Sequence, residues 1–293
     1  MRNLADTRIS IVGLGLMGGS LAGALRGKCR AVIGVARRAE TTQAAAARGF
    51  TDQATVDLAA GLRNANVVIL ATPVRTILRL LDEIGPLLQA GCLVMDLGST
   101  KAQIVAKMDS LPSHVQPLGA HPMCGREAPG IEAADAALYQ GHTFVLPPLP
   151  RTSGAALSLG CELVEAVGAR ILLMEPDDHD RLVATISHLP YVLACALVGA
   201  AEEAASCDPR VWDLAASGFR DTSRLSASGV PMMLDILLTN REAVLKALRD
   251  CDAHVHVLAR LLEAGDEEGL RAMLAAARNR RTHLAVPPGR VKA

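Results

Sequence analysis

Three glycines near the N-terminus constrain this fold more than any other feature of the sequence. Gly13, Gly15 and Gly18 stand as Gly-Leu-Gly-Leu-Met-Gly directly after the apolar run at 9–12, and residues 17–26 then read as a helix. A strand, a glycine-rich turn and a helix in that order open a dinucleotide-binding βαβ unit. The first glycine permits the tight turn, the second lets the backbone approach a pyrophosphate, and the third lets helix and strand pack closely. The phosphates would rest on the N–H groups at the helix N-terminus, which here include those of Leu16 and Met17. Three glycines serving only a tight turn are the plainer alternative. The strand before them and the helix after them favour the cofactor.

Apolar runs recur at 31–35, 67–71, 92–96 and 115–120, and again at 143–146 and 170–173. Helical patterns separate them at 40–48, 77–88 and 154–167. Short strands alternating with helices mean βαβ units, and near-continuous apolar strands fit a sheet covered on both faces. The expected fold class is α/β, a Rossmann-type, largely parallel, doubly wound sheet over residues 1–176. Beyond it the strand signal stops. Segments 178–206, 209–217, 231–264 and 266–281 read as helices, giving an all-helical C-terminal domain over 177–284 and a flexible tail at 285–293.

Composition excludes several classes. Thirty basic residues balance 30 acidic ones, and aromatics make up 2%, so neither a basic footprint nor stacking surface for nucleic acid is present. The seven cysteines are odd in number, scattered and without a CxxC pair, which suits reduced thiols in a cytoplasmic protein rather than disulfides or structural zinc. Residues 1–10 lack the apolar core of a signal peptide. The uncharged stretch 182–201 has the length of a membrane span, but its Thr185, Ser187, His188 and Pro190 favour a helix buried in a domain or dimer core.

In an open α/β sheet, ligands bind outside the carboxyl ends of the strands. Five successive runs end in functional groups there: the glycines, Arg37-Arg38, Thr72-Pro73, Asp96-Leu-Gly-Ser99, and His121. The second run carries no acid to hold a ribose 2′-hydroxyl. Its two guanidiniums suit a 2′-phosphate, so NADP is favoured over NAD. Ser99 or Thr100 could be no more than an N-cap. His121, set by Pro122, is a candidate general base, since a free imidazole titrates near pH 6.5; a structural histidine is the alternative. His188 lies in the apolar helix, where a satisfied core histidine is the default. Arg220 and Arg224 lie in 218–224, read as a break between helices, from which an arginine could clamp a carboxylate. His254 and His256 sit two apart on a helix and face different ways, so no metal site is expected.

Four segments, 119–127 (Gly-Ala-His-Pro-Met-Cys-Gly-Arg-Glu), 96–101 (Asp-Leu-Gly-Ser-Thr-Lys), 187–190 (Ser-His-Leu-Pro) and 218–224 (Gly-Phe-Arg-Asp-Thr-Ser-Arg), together resemble the prephenate/arogenate (cyclohexadienyl) dehydrogenase family of tyrosine biosynthesis. The resemblance implies oxidative decarboxylation, with a hydride passing to NAD(P)+, and a homodimer built by the helical domain. It implies that His121 assists deprotonation of the ring hydroxyl with support from Ser99. Arg224 would pair with a substrate carboxylate, His188, Tyr191 and Arg220 would line the pocket, and Glu127 would join a gating ion network. Tyr191 stands where some members carry His, and Cys124 where many have Ala or Phe. Alternatives outside this family are a β-hydroxyacid dehydrogenase or imine reductase, which would use a lysine on a long helix, and a non-catalytic NADP-sensing protein.

Overall fold

The computed structural model describes residues 3–126 and 128–283, so Glu127 and the tail expected at 285–293 lie outside the described residues. The chain divides into two compact units, one of Met1–Asp180 with Ser228–Thr239 and one of Arg181–Ala227 with Asn240–Ala293.

The first unit is built on six parallel strands: β1 (Arg8–Val12), β2 (Ala31–Val35), β3 (Gln53–Thr55), β4 (Val67–Leu70), β5 (Leu93–Asp96) and β6 (Gln116–Leu118), ordered β3-β2-β1-β4-β5-β6. Side chains alternate between faces along a strand, so a sheet covered twice needs apolar residues at every position. Strand β4 shows this directly. Val67 and Ile69 enter one core, Val68 and Leu70 the other. On the first face lie α1 (Leu16–Leu25), α2 (Ala39–Ala47) and α6 (Gly154–Ala166). On the second lie α3 (Leu58–Leu62), α4 (Val74–Ile84) and α5 (Ala102–Asp109). Helix α4 docks through Val74, Ile77, Leu81 and Ile84, an apolar stripe at helical spacing. This is the doubly wound order, with its switch point between β1 and β4.

Two readings of the sequence change here. Strand β3 was not expected; it is three residues long, lies on the sheet edge with no residue fully buried, and carries no apolar run. His121 does not end the fifth expected run. It opens a second sheet of β7 (His121–Pro122), β8 (Thr143–Leu146) and β9 (Arg170–Leu173), with β7 antiparallel to β8 and β8 parallel to β9. The main-chain groups of Ala120 explain the switch. Its N–H donates to Asp96 Oδ1 (3.0 Å) and its carbonyl accepts from Lys101 Nζ (2.7 Å), so neither pairs with a neighbouring strand.

The first unit also contains a later segment, α10 (Val230–Thr239). Asp235 Oδ2 accepts from Arg75 N (3.1 Å), and the Thr239 hydroxyl bonds that of Thr100 (2.9 Å). One helix was expected over 231–264; it breaks at Asn240, whose backbone (φ −121°, ψ 31°) leaves the helical region.

From the first unit, α7 (Pro176–Val183) leads through a π turn (Ala184–His188) into α8 (Leu189–Cys207). Pro190 has no N–H to give the preceding turn, a recognised cause of such widening. The second unit adds α9 (Ser217–Ser223), α11 (Arg241–Glu263) and α12 (Glu267–Thr282). The helix expected at 209–217 is only a 3₁₀ turn, Pro209–Val211, while the break expected at 218–224 forms α9. Pro176–Cys207 is long and apolar enough to cross a membrane by length and composition alone, and 22% of its most apolar window is buried. It is therefore not the buried core helix of a single chain; Ile186, for example, is 67% exposed.

Candidate active site

The glycine loop has the shape its spacing requires. Gly13 adopts φ +104°, and a Cβ there would meet the carbonyl oxygen of Ala71 at 2.5 Å. A Cβ on Gly18 would be driven into the carbonyl oxygen of Gly13. On Gly15 it would meet nothing within 4 Å, which leaves the backbone open to a large ligand. Helix α1 has no side-chain cap, so the first-turn N–H groups of Leu16, Met17 and Gly18 are presented without a side-chain acceptor. The Tyr139 hydroxyl donates to Met17 O (2.6 Å) and anchors this turn. After β4, Thr72 Oγ1 is buried without a hydrogen-bond partner and Pro73 begins α4. Arg37 and Arg38 follow β2 and are exposed to solvent. A dinucleotide with its pyrophosphate on α1 fits these observations.

Beyond β5 lies a buried polar cluster. Asp96 and Lys101, both wholly buried, form an ion pair. Asp96 Oδ2 also accepts from Gly98 N (2.8 Å). Burial pushes the Asp96 carboxyl up and the Lys101 ammonium down, and each offsets the shift of the other. Through Ala120 the pair ties the end of β5 to the residue before His121. His121 Nδ1 lies 2.8 Å from His179 Nε2, and His179 Nδ1 lies 2.7 Å from Asp180 Oδ1. Asp180 also accepts from Lys101 N (2.7 Å) and Ala102 N (2.9 Å). Neither Ser99 nor Thr100 therefore caps α5; a carboxylate from α7 does. Ser99 is half-buried, and its hydroxyl has no hydrogen-bond partner among the described residues.

The remaining candidates lie in the second unit. His188 is buried, and its Nδ1 accepts from the Asn240 side-chain amide (3.2 Å), which leaves its ring proton on Nε2. Tyr191 is half-buried and bonds Cys195 one turn on. Arg220 lies on α9 and Arg224 caps its end, both exposed. Among the described residues no group of three His, Cys, Asp or Glu could hold a metal.

Comparison with known proteins decides the family. Residues 21–173 match the nucleotide-binding domain of prephenate dehydrogenase, and residues 175–276 its dimerization domain. The chain belongs to the prephenate dehydrogenase family. A prephenate dehydrogenase of Bacillus subtilis is 33% identical over 274 residues, 92% of this chain and 74% of the relative. Among solved structures, the arogenate dehydrogenase of Synechocystis is 34% identical with a TM-score of 0.83, covering 95% of this chain and 100% of that one. The prephenate dehydrogenase of A. aeolicus in complex with hydroxyphenyl propionate and NAD+ is 29% identical with a TM-score of 0.90, covering 97% and 100%. As a prephenate dehydrogenase family member the chain is an NAD(P)-dependent oxidoreductase, and the β-hydroxyacid dehydrogenase and sensor alternatives are not favoured.

Inspection of the sequence missed His179 and Asp180. They follow Glu175-Pro-Asp-Asp in an acidic helix start, and nothing local marks them. Their partners lie 58 and about 79 residues away, so only the fold brings them to this dehydrogenase's histidine. Cys124, the family departure beside that histidine, packs against the first core, and burial pushes its thiol up to about 12.

Proposed function

We propose that the enzyme oxidatively decarboxylates a cyclohexadienyl substrate, prephenate or arogenate, to a phenol, working as a cytoplasmic homodimer that prefers NADP. One observation carries the reading. A histidine whose Nδ1 is engaged from behind lies next to the loop after β5, in a chain that matches the family over both of its domains.

When bound, the nicotinamide supplies the hydride acceptor for the ring carbon that bears the hydroxyl. The N–H groups of Leu16, Met17 and Gly18 would hold the pyrophosphate, and Gly15 lets the backbone close on it. Thr72 and Pro73 would border the cofactor. Arg37 and Arg38 would grip a 2′-phosphate, since no acid stands at the end of β2 to receive a 2′-hydroxyl. His121 Nε2 takes the proton from the ring hydroxyl as the C–H bond is lost. Ser99 positions that hydroxyl. Loss of CO₂ then makes the ring aromatic, which supplies the driving force. By the family resemblance Arg224 would pair with a substrate carboxylate, His188, Tyr191 and Arg220 would line the pocket, and Glu127 would join a gating ion network.

The dimer reading draws on the matched dimerization domain and on exposed apolar side chains of the second unit, among them Ile186 and Leu214 (82% exposed). The cytoplasmic reading draws on seven free thiols. Steady-state assay with both substrates and both cofactors, with mass-spectrometric detection of the phenol, tests the proposal. Turnover is expected with at least one substrate, faster with NADP+. Tight cofactor binding without turnover on either substrate would refute it.

A further inference from the structure

We propose that His179 and Asp180 are positioning residues that fix the tautomer of His121; the inference rests on His121 acting as the base. The geometry runs in one direction. As a carboxylate Asp180 only accepts, so the proton between it and His179 (2.7 Å) sits on His179 Nδ1. A neutral His179 then offers only the lone pair of Nε2 to its other neighbour. His121 must meet that lone pair (2.8 Å) with a proton on Nδ1, which places its own basic lone pair on Nε2. One carboxylate thus sets two rings.

Burial keeps this arrangement from exchanging with water. His179 is 1% and Asp180 4% exposed. Asp180 also accepts from the N–H groups of Lys101 and Ala102 at the start of α5, so its side chain cannot turn away without uncapping that helix. Among the described residues, His179 bonds His121 directly and Asp180 stands behind it, both from α7, while Asp96 and Lys101 from β5 and α5 hold the main chain of Ala120 next to it. Asp96 is paired with Lys101, whereas Asp180 bonds His179 directly and so reaches His121 through that ring. When His121 becomes an imidazolium, its Nδ1–H still points at a neutral acceptor with that carboxylate behind it. The charge is therefore stabilised as it forms, the way an orienting acid serves a catalytic histidine.

Two measurements test this. A long-range ¹H–¹⁵N spectrum of the histidine-labelled full chain near pH 8 should show the proton of both His121 and His179 on Nδ1, with assignments taken from His121→Asn and His179→Gln. Separately, His179→Leu should lower kcat by on the order of a hundredfold, with Kd for NADPH unchanged within about twofold, while His179→Gln, whose side-chain oxygen can accept from His121, should recover most of the loss. In Asp180→Asn the acid limb of kcat/KM should move to lower pH, because the imidazolium loses its stabilising charge. A His121 proton on Nε2, or equal rates in the Leu and Gln variants, would overturn the proposal. Where His179→Leu does not fold, the wild-type spectrum and His179→Gln still decide. Full activity in His121→Asn would instead remove the base itself, so the two failures are distinguishable.

Discussion

Alanine at Gly15 and at Gly18 should separate two roles of one loop. At Gly18 the added methyl would enter the Gly13 carbonyl and press on Ala71 Cβ at 2.9 Å. Overpacking of this kind costs about 1–3 kcal/mol, and for a unit of this size each kcal/mol lowers Tm by roughly 2–4 °C. A fall of roughly 2–12 °C follows. At Gly15 the methyl meets nothing within 4 Å, and the backbone (φ −83°, ψ −157°) is one alanine can adopt. Only the small difference between glycine and alanine as N-caps remains, below about 1 kcal/mol. A pyrophosphate must come closer than a methyl allows. Losing one charge-assisted hydrogen bond of about 1.5–3 kcal/mol weakens binding by roughly ten- to a hundredfold. Thermal melts without cofactor and NADPH fluorescence titration read both effects. An unchanged Kd in Gly15→Ala, or a melt as low as that of Gly18→Ala, would refute the assignment.

Three further outcomes are expected. Replacing Arg37 and Arg38 together with serine should lower the NADP+/NAD+ ratio of kcat/KM at least tenfold, and an unchanged ratio would place the 2′-phosphate elsewhere. Lys101→Met leaves Asp96 buried without its partner, and urea unfolding should show a loss of about 3–5 kcal/mol. Cys124, with its thiol raised to about 12, carries almost no thiolate at pH 8 and should react with a disulfide reagent roughly a thousandfold more slowly than an exposed cysteine, the rate rising tenfold per pH unit.

The glycine loop and five of the six main strands are legible because each is a local pattern: a largely apolar run, or glycines at the spacing a turn demands. What escaped is non-local. His121 reads as a strand end, yet it starts a second sheet because Asp96 and Lys101, distant in sequence, take the main-chain groups of Ala120. The break at Asn240 falls where the helical period continues and neither proline nor glycine interrupts it. Thr100 reads as a cap, but Asp180 takes that work from another helix, and with His179 it completes a site of which the sequence displays only one imidazole.

The account stands on that imidazole as the base, and His121→Asn examines it most directly. Turnover with the preferred substrate and cofactor should fall by on the order of a hundredfold or more in kcat, while NADPH affinity stays within about twofold of the parent enzyme. A kcat close to the parent value would mean that the ring hydroxyl gives its proton to another group.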